Sequence, residues 1–299
     1  MILKKNIPIS YIISELKTPL ISVTLIAIAS VILPLIFGSF FSEIPINIAT
    51  TLGVAISILL SYMINQSYER WWEARKIWGE IVNDSRTLVL QLQMYLHSEN
   101  RAIHTMSLRQ ISWCYCLGRH LRKTESMNTL KQALSESDFE HIKNHLNIPL
   151  SILSLQSASL KRLLQSEELD KFSQIRIEET LARLTASMGK CERIKNTVFP
   201  SIYRYGLHAT IYLFVVFLSL SVAFELQHFI LQFFILLIVS AVFFFLEKAA
   251  FRMQDPFENI ATDTPMTAIA ETIESNIMEL LNKEVISAVN QENNKFYVL

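Results

Sequence analysis

Glycine is scarce, six in 299 residues. So few leave little room for the glycine-rich loops that cradle phosphates or for a GxSxG nucleophile turn, and neither pattern occurs. Three cysteines, Cys114, Cys116 and Cys191, form neither an even disulfide set nor a zinc-type spacing. On a helix Cys114 and Cys116 point about 200° apart and could not hold one ion together, so all three read as reduced thiols. Net charge is also lacking, with 27 Lys and Arg against 27 Asp and Glu, which removes the basic field that nucleic-acid binders use. Charged residues make up only 18% against 51% hydrophobic, and mean hydropathy is +0.31. That is too apolar for an ordinary soluble protein of this size and points to a membrane protein; its helical spacing patterns make it all-α, and no enzyme activity or cofactor is expected.

The first seventeen residues, MILKKNIPISYIISELK, delay the apolar run until after Lys17. That run is longer than the core of a signal peptide and lacks a small-residue cleavage site, so it reads as a retained span. Pro19 to Phe37 carries no charge and covers roughly 28 Å as a helix, close to the hydrocarbon thickness of a bilayer; Pro34 is expected to kink it or end it early. Ile44 to Asn65 is a second uncharged stretch, made more polar by Thr50, Thr51, Ser57 and Ser61. Leu207 to Phe224 and Phe229 to Leu246 form a hairpin of two further spans around Glu225, Gln227 and His228. The expected organisation is an N-terminal segment 1–18, spans one and two within 19–65, a helical domain 66–205, spans three and four within 206–248, and a tail 249–299.

The helical domain shows apolar residues at helical spacing, as in Ile81, Leu88, Leu92 and Leu96, and again in Leu181, Leu184 and Met188. The tail turns at Pro256 and Pro265 and continues as an amphipathic helix through Ile269, Ile273, Ile277 and Leu280, with its last ten residues expected to be mobile. The linkers around Glu43 and Glu225 hold no Lys or Arg. Lys4, Lys5, Lys17, Arg70, Arg75, Lys76, Arg204, Lys248 and Arg252 all fall on the other side, which places both termini and the helical domain in the cytoplasm.

Within the second span, Val54, Ile58 and Tyr62 recur at i, i+4 and i+8 and share a stripe roughly 80° wide. Copies of this helix around an axis would stack that stripe into apolar rings, a constriction that gates by dewetting. An ordinary helix-packing face accounts for the same spacing. Tryptophan and arginine crowd the next turns, with three of the four tryptophans between residues 71 and 78. Adjacent Trp71 and Trp72 point about 100° apart, and the spacing offers cation–π pairs of Trp71 with Arg75 and Trp72 with Lys76, and an ion pair of Glu73 with Arg70. His141 and His145 have the i, i+4 spacing of metal ligands but lack a third ligand nearby, and read as a surface pair.

The run Ser67-Tyr68-Glu69-Arg70-Trp71-Trp72-Glu73-Ala74-Arg75-Lys76-Ile77-Trp78-Gly79, with Asn83-Asp84-Ser85-Arg86 after it, resembles the signature of the bestrophin family. The four-span layout and the turn Asp255-Pro256-Phe257 extend the resemblance over nearly the whole chain. It implies a homopentameric ion channel of the bacterial cytoplasmic (inner) membrane, partnered by its own copies and by lipid. The second span would line the pore with a neck at Val54, Ile58 and Tyr62. A hydroxyl at the third neck position departs from the commoner aromatic. The resemblance also implies a cytoplasmic aperture, matched by Ile175, with Asp170, Glu178 and Glu179 or Arg176 beside it to bias ion choice. Animal relatives bind calcium through an acidic run after the Pro-Phe turn; this chain offers only Asp255, Glu258 and Asp263, so no metal is expected there. Anion conduction, as in animal and plant members, and monovalent-cation conduction, as in some bacterial ones, both stay open. So does a non-conducting scaffold or sensor, whereas a transporter is disfavoured because the spans show no buried charge pair and no internal repeat.

Overall fold

The computed structural model describes residues 8–37, 45–124, 134–197, 200–225 and 229–283. Lys4, Lys5, Glu43, Gln227, His228 and the last ten residues, on which parts of the orientation, hairpin and tail expectations rest, lie outside them. Among the described residues the regular structure is entirely helical: α1 Ile9–Phe37, α2 Ile46–Tyr95, α3 Arg101–Arg122, α4 Glu136–Ile142, α5 Ile148–Gln165, α6 Lys171–Asn196, α7 Ser201–Glu225, α8 Phe229–Gln254 and α9 Met266–Leu280.

Two compact units share the chain. One contains residues 8–70 and 200–254, the other residues 71–197 and 255–283. Helix α2 contributes to both.

The first unit is built from α1, the front part of α2, α7 and α8, each long and apolar enough to cross a membrane. Helix α1 starts at Ile9 and runs through Pro34 to Phe37, so the proline does not end it early. Near its start the Glu15 carboxylate is paired with Arg252 at 2.5 Å and lies 4.0 Å from Lys248. Val23 and Ala27 of α1, Ile56, Leu60 and Met63 of α2, Leu207 and Ile211 of α7, and Leu236 and Phe244 of α8 form the buried core. Ser219 Oγ donates to Ser30 Oγ at 2.7 Å inside it, linking α7 to α1 by the kind of hydroxyl contact that holds helices together where water is absent.

One buried acid stands just past the expected end of the fourth span and meets a histidine at the start of the third. Glu247 of α8 is buried and its Oε1 lies 2.8 Å from His208 Nδ1 of α7. Both residues sit at the ends of the expected spans, where hydropathy gives them no prominence.

The second unit assembles around Trp78, Ile81, Leu88 and Leu92 of α2, Trp113 and Leu117 of α3, Ile177 and Leu184 of α6, and Ile273 and Ile277 of α9. The helices start where polar side chains satisfy their first free amides: Asn100 accepts from Ala102 N, Ser135 from Asp138 N, Asn147 from Leu150 N, and Asp170 from Phe172 N and Ser173 N. Gly118 lies where α3 packs against α9, its Cα side facing Met266. The three cysteines are buried, and burial pushes each thiol up to about 12, so none is a nucleophile at neutral pH.

The most enclosed ion pair in this unit joins Arg109 of α3 to Asp138 of α4. Nη2 and Nε donate to the two carboxylate oxygens at 2.7 and 2.8 Å, and Nη1 donates to Ser159 Oγ of α5 at 2.6 Å. Removing one partner strands a buried charge, which costs far more than the pair itself contributes. Asp138→Ala is therefore expected to destabilise the protein by about 3 kcal/mol or more, read as a lower midpoint in thermal or denaturant unfolding of the detergent-solubilised chain.

Candidate pore-lining site

Helix α2 divides sharply between its faces. Ile56, Leu60 and Met63 are buried against the first unit, whereas Val54, Ile58 and Tyr62 are 57%, 65% and 58% exposed. The stripe chosen by periodicity is therefore the face that the rest of the unit leaves uncovered. Thr50, Gly53, Ser57, Ser61 and Asn65 lie beside it and, with Phe243 of α8, bound an open groove of about 850 Å³. Polar groups of this density are out of place against lipid chains. Thr50 and Ser57 donate their hydroxyls back to Ile46 O and Gly53 O, at 3.1 and 2.8 Å.

Two contacts hold the stripe in place. Gly53 allows α2 to approach α7, because a Cβ there would sit 3.2 Å from the Phe214 ring. Tyr203 of α7 donates its hydroxyl to Leu59 O at 3.2 Å, and its ring centroid is 6.5 Å from that of Tyr62. Nothing in the local sequence marked Tyr203; only the antiparallel register of α2 and α7 brings it to this turn.

The signature residues distribute their bonds widely. Arg70 Nε donates to Gln254 O, at the end of α8, at 2.9 Å. Trp71 Nε1 donates to Thr262 O at 2.9 Å, and its ring stacks on Trp72 at 6.3 Å, so the two indoles meet despite the 100° between their Cα directions. Glu73 pairs with Arg193 of α6 at 2.8 Å rather than turning back to Arg70. The expected cation–π pairs do not form at Trp72 with Lys76; among the described residues the one stacked cation is Arg204, 4.5 Å from the Phe251 centroid. Arg75 is half-buried, its guanidinium reaching to 4.0 Å from where a Cβ on Gly79 would stand.

Three consecutive residues further along α2 each reach a different helix. Asp84 pairs with Arg183 of α6 at 2.8 Å, Ser85 Oγ accepts from Gln110 of α3 at 2.8 Å, and Arg86 Nε donates to Asn276 of α9 at 2.9 Å. Sequence spacing gave no sign of these ties.

The turn after α8 is held by its own carboxylates. Asp255 accepts from Lys195 Nζ at 2.5 Å and from Phe257 N at 3.0 Å, Pro256 O accepts from Thr264 N, and Phe257 is fully buried. Asp263 Oδ2 accepts from the amides of Asn259 and Ile260 at 2.6 and 3.2 Å. Asp255 is thus engaged by a lysine and a backbone amide and Asp263 Oδ2 by two backbone amides, while Asp263 Oδ1 is buried with no hydrogen-bond partner. Among the described residues no group of three His, Cys, Asp or Glu converges on one point, and His141 and His145 simply pack ring to ring at 5.6 Å.

Ile175 is 52% exposed on α6, on the same side as Phe172. Asp170 is occupied as the helix cap, and the bonds from Ser173 hold its carboxyl below the usual range. Arg176 and Glu179 pair with each other at 3.4 Å, and Glu178 is exposed.

Four of its helices are long and apolar enough to cross a membrane, and the chain is a membrane protein. The family model described as Bacterial/Fungal Bestrophin protein matches residues 6–279, and the chain belongs to the bestrophin family. It is 29% identical over 251 residues to the voltage-dependent anion channel-forming protein YneE of Escherichia coli K12, covering 84% of this chain and 81% of that one. The YneE protein of Salmonella typhimurium is also 29% identical, over 280 residues, covering 93% and 90%. The crystal structure of a bacterial bestrophin homologue from Klebsiella pneumoniae matches with a TM-score of 0.83 at 27% identity, covering 89% of this chain and 98% of that chain.

Burial pushes the Asp263 carboxyl up to about 6, aided by the negative charges of Asp255 and Glu258 and opposed by the two amide bonds. Between about pH 4 and pH 6 the unfolded chain has released this proton and the folded chain has kept it, so stability falls as pH rises through that window. Asp263→Asn keeps an oxygen acceptor and removes the titration. It should melt above wild type at pH 7, by up to about 3 kcal/mol, and converge with wild type near pH 4.

Proposed function

We propose that this chain is the subunit of a homopentameric channel for small monovalent ions in the bacterial cytoplasmic (inner) membrane, with both termini and the second unit cytoplasmic. The observation that carries the reading is the uncovered stripe of Val54, Ile58 and Tyr62 on a span whose opposite face is buried. A fivefold arrangement turns it into three stacked rings. Apolar rings of this kind raise a barrier by excluding water, and the phenol of Tyr62 adds a hydrogen-bonding group at the narrowest part. Ile175 supplies a second constriction on the cytoplasmic side, with Glu178 beside it, and Arg70 to Arg75 and Asp255 to Phe257 act as the bracket that holds the helix. Names given to the curated relatives support an ion-conducting role, and the likeness to solved bestrophin structures supports the assembly.

The neck carries no charge and does not choose ions by sign, so chloride and sodium-like ions are both admitted by it. Ion flux from purified protein in liposomes tests the reading. Ile58→Ala and Tyr62→Ala are each expected to raise flux, about tenfold for every 1.4 kcal/mol of barrier removed. Unchanged flux in both variants would remove the neck assignment, and a wild-type protein that passes no ions under any condition would leave a non-conducting scaffold or sensor in its place. Ile175→Ala, measured in the same vesicles, should raise flux less than the neck variants and additively with them.

A further inference from the structure

The stripe on α2 does not stop at Tyr62. Asn65 and Glu69 follow at i+3 and i+7, and seven residues return to within about 20° of the starting direction on a helix of 3.6 residues per turn. Both are exposed, and by this spacing Glu69 stands about 10 Å beyond Tyr62 along the same strip. A contact independent of the spacing ties it to the groove. Asn65 is part of the wall that Val54, Ile58 and Tyr62 line, and its Nδ2 donates to Glu69 Oε1 at 3.4 Å, so the carboxylate leans back toward the neck.

Its charge is also uncompensated. Among the described residues Glu69 has no ion-pair partner, whereas the acids that follow it on α2 all have one: Glu73 with Arg193, Glu80 with Lys190, Asp84 with Arg183. Neighbouring Arg70 points about 100° away, and its Nε is committed to the Gln254 carbonyl.

Resting on the channel reading above, we propose that Glu69 is the specificity-determining residue of the pathway: a ring of its carboxylates at the inner mouth of the neck enriches monovalent cations and depletes anions. Val54, Ile58 and Tyr62 set how hard the barrier is, and Glu69 sets which charge reaches it. Rings of acidic side chains are a general means of selecting cations. The distance matters because the Debye length is about 8 Å at physiological ionic strength. Glu69 lies just over one such length from Tyr62, so its influence on ions at the neck is partly screened and grows as salt is lowered. Lys76, also exposed and a further seven residues along the strip, lies more than two lengths away and is screened from the neck.

Reversal potentials of wild type, Glu69→Gln, Glu69→Lys and Lys76→Gln in liposomes under a potassium chloride gradient test this. The expected wild type prefers cations, more so at low salt. Glu69→Gln, which retains an acceptor for Asn65, should lower the cation-to-anion ratio severalfold; a change of about one kT in the potential at the mouth alters that ratio about sevenfold. Glu69→Lys should move the reversal potential further toward that of an anion channel, and Lys76→Gln should leave it nearly unchanged. Conducting Glu69→Gln vesicles with the wild-type reversal potential would overturn the proposal, as would a wild type that prefers anions. Absence of any current from both wild type and Tyr62→Ala overturns the channel reading itself, an outcome distinct from conduction without a selectivity shift.

Discussion

A backbone amide in hydrocarbon finds no water to bond, so every residue of a span must satisfy its own N–H and C=O within the helix. That constraint explains the long, unbroken elements of the first unit. It also makes any side chain that cannot face lipid informative, because such a group needs another helix or a wet cavity. Ser30 meets Ser219, Glu247 meets His208, and Glu15 meets Arg252 and Lys248. Thr50, Ser57, Ser61 and Asn65 border an open groove instead. The polar groups of α2 are thus separated from those that lock the unit together, and this separation gives the helix a packed face and an uncovered one.

The same division governs how much could be read without coordinates. Charge-free runs announce spans because one lysine or aspartate in the middle of a bilayer is so costly, and four spans were legible for that reason. The stripe of Val54, Ile58 and Tyr62 was legible as a spacing, since helical periodicity fixes which residues share a face. Whether that face is covered or bare depends on the neighbouring helices, and the core residues Ile56, Leu60 and Met63 settle it only once α7 and α8 are placed.

What stayed hidden is long-range and polar. The Trp71 indole reaches a carbonyl 191 residues away, and Glu73 finds a cation 120 residues away rather than one three positions back. A local rule favours the near partner because it sees only the helix. Glu15 of α1 likewise finds its two cationic partners on α8, more than 230 residues away. Asp84, Ser85 and Arg86 also bond to three different helices, which no local periodicity announces.

The burial of the three thiols has a practical side. Cys114, Cys116 and Cys191 are enclosed in the second unit, with acidities near 12, and a thiol reagent acts on the thiolate. The native chain is therefore chemically quiet toward maleimides and methanethiosulfonates. A cysteine placed at 54, 58, 62 or 69 would react against a silent background, and its labelling rate from either side of the membrane would report water access to that position without first stripping the protein of its own cysteines.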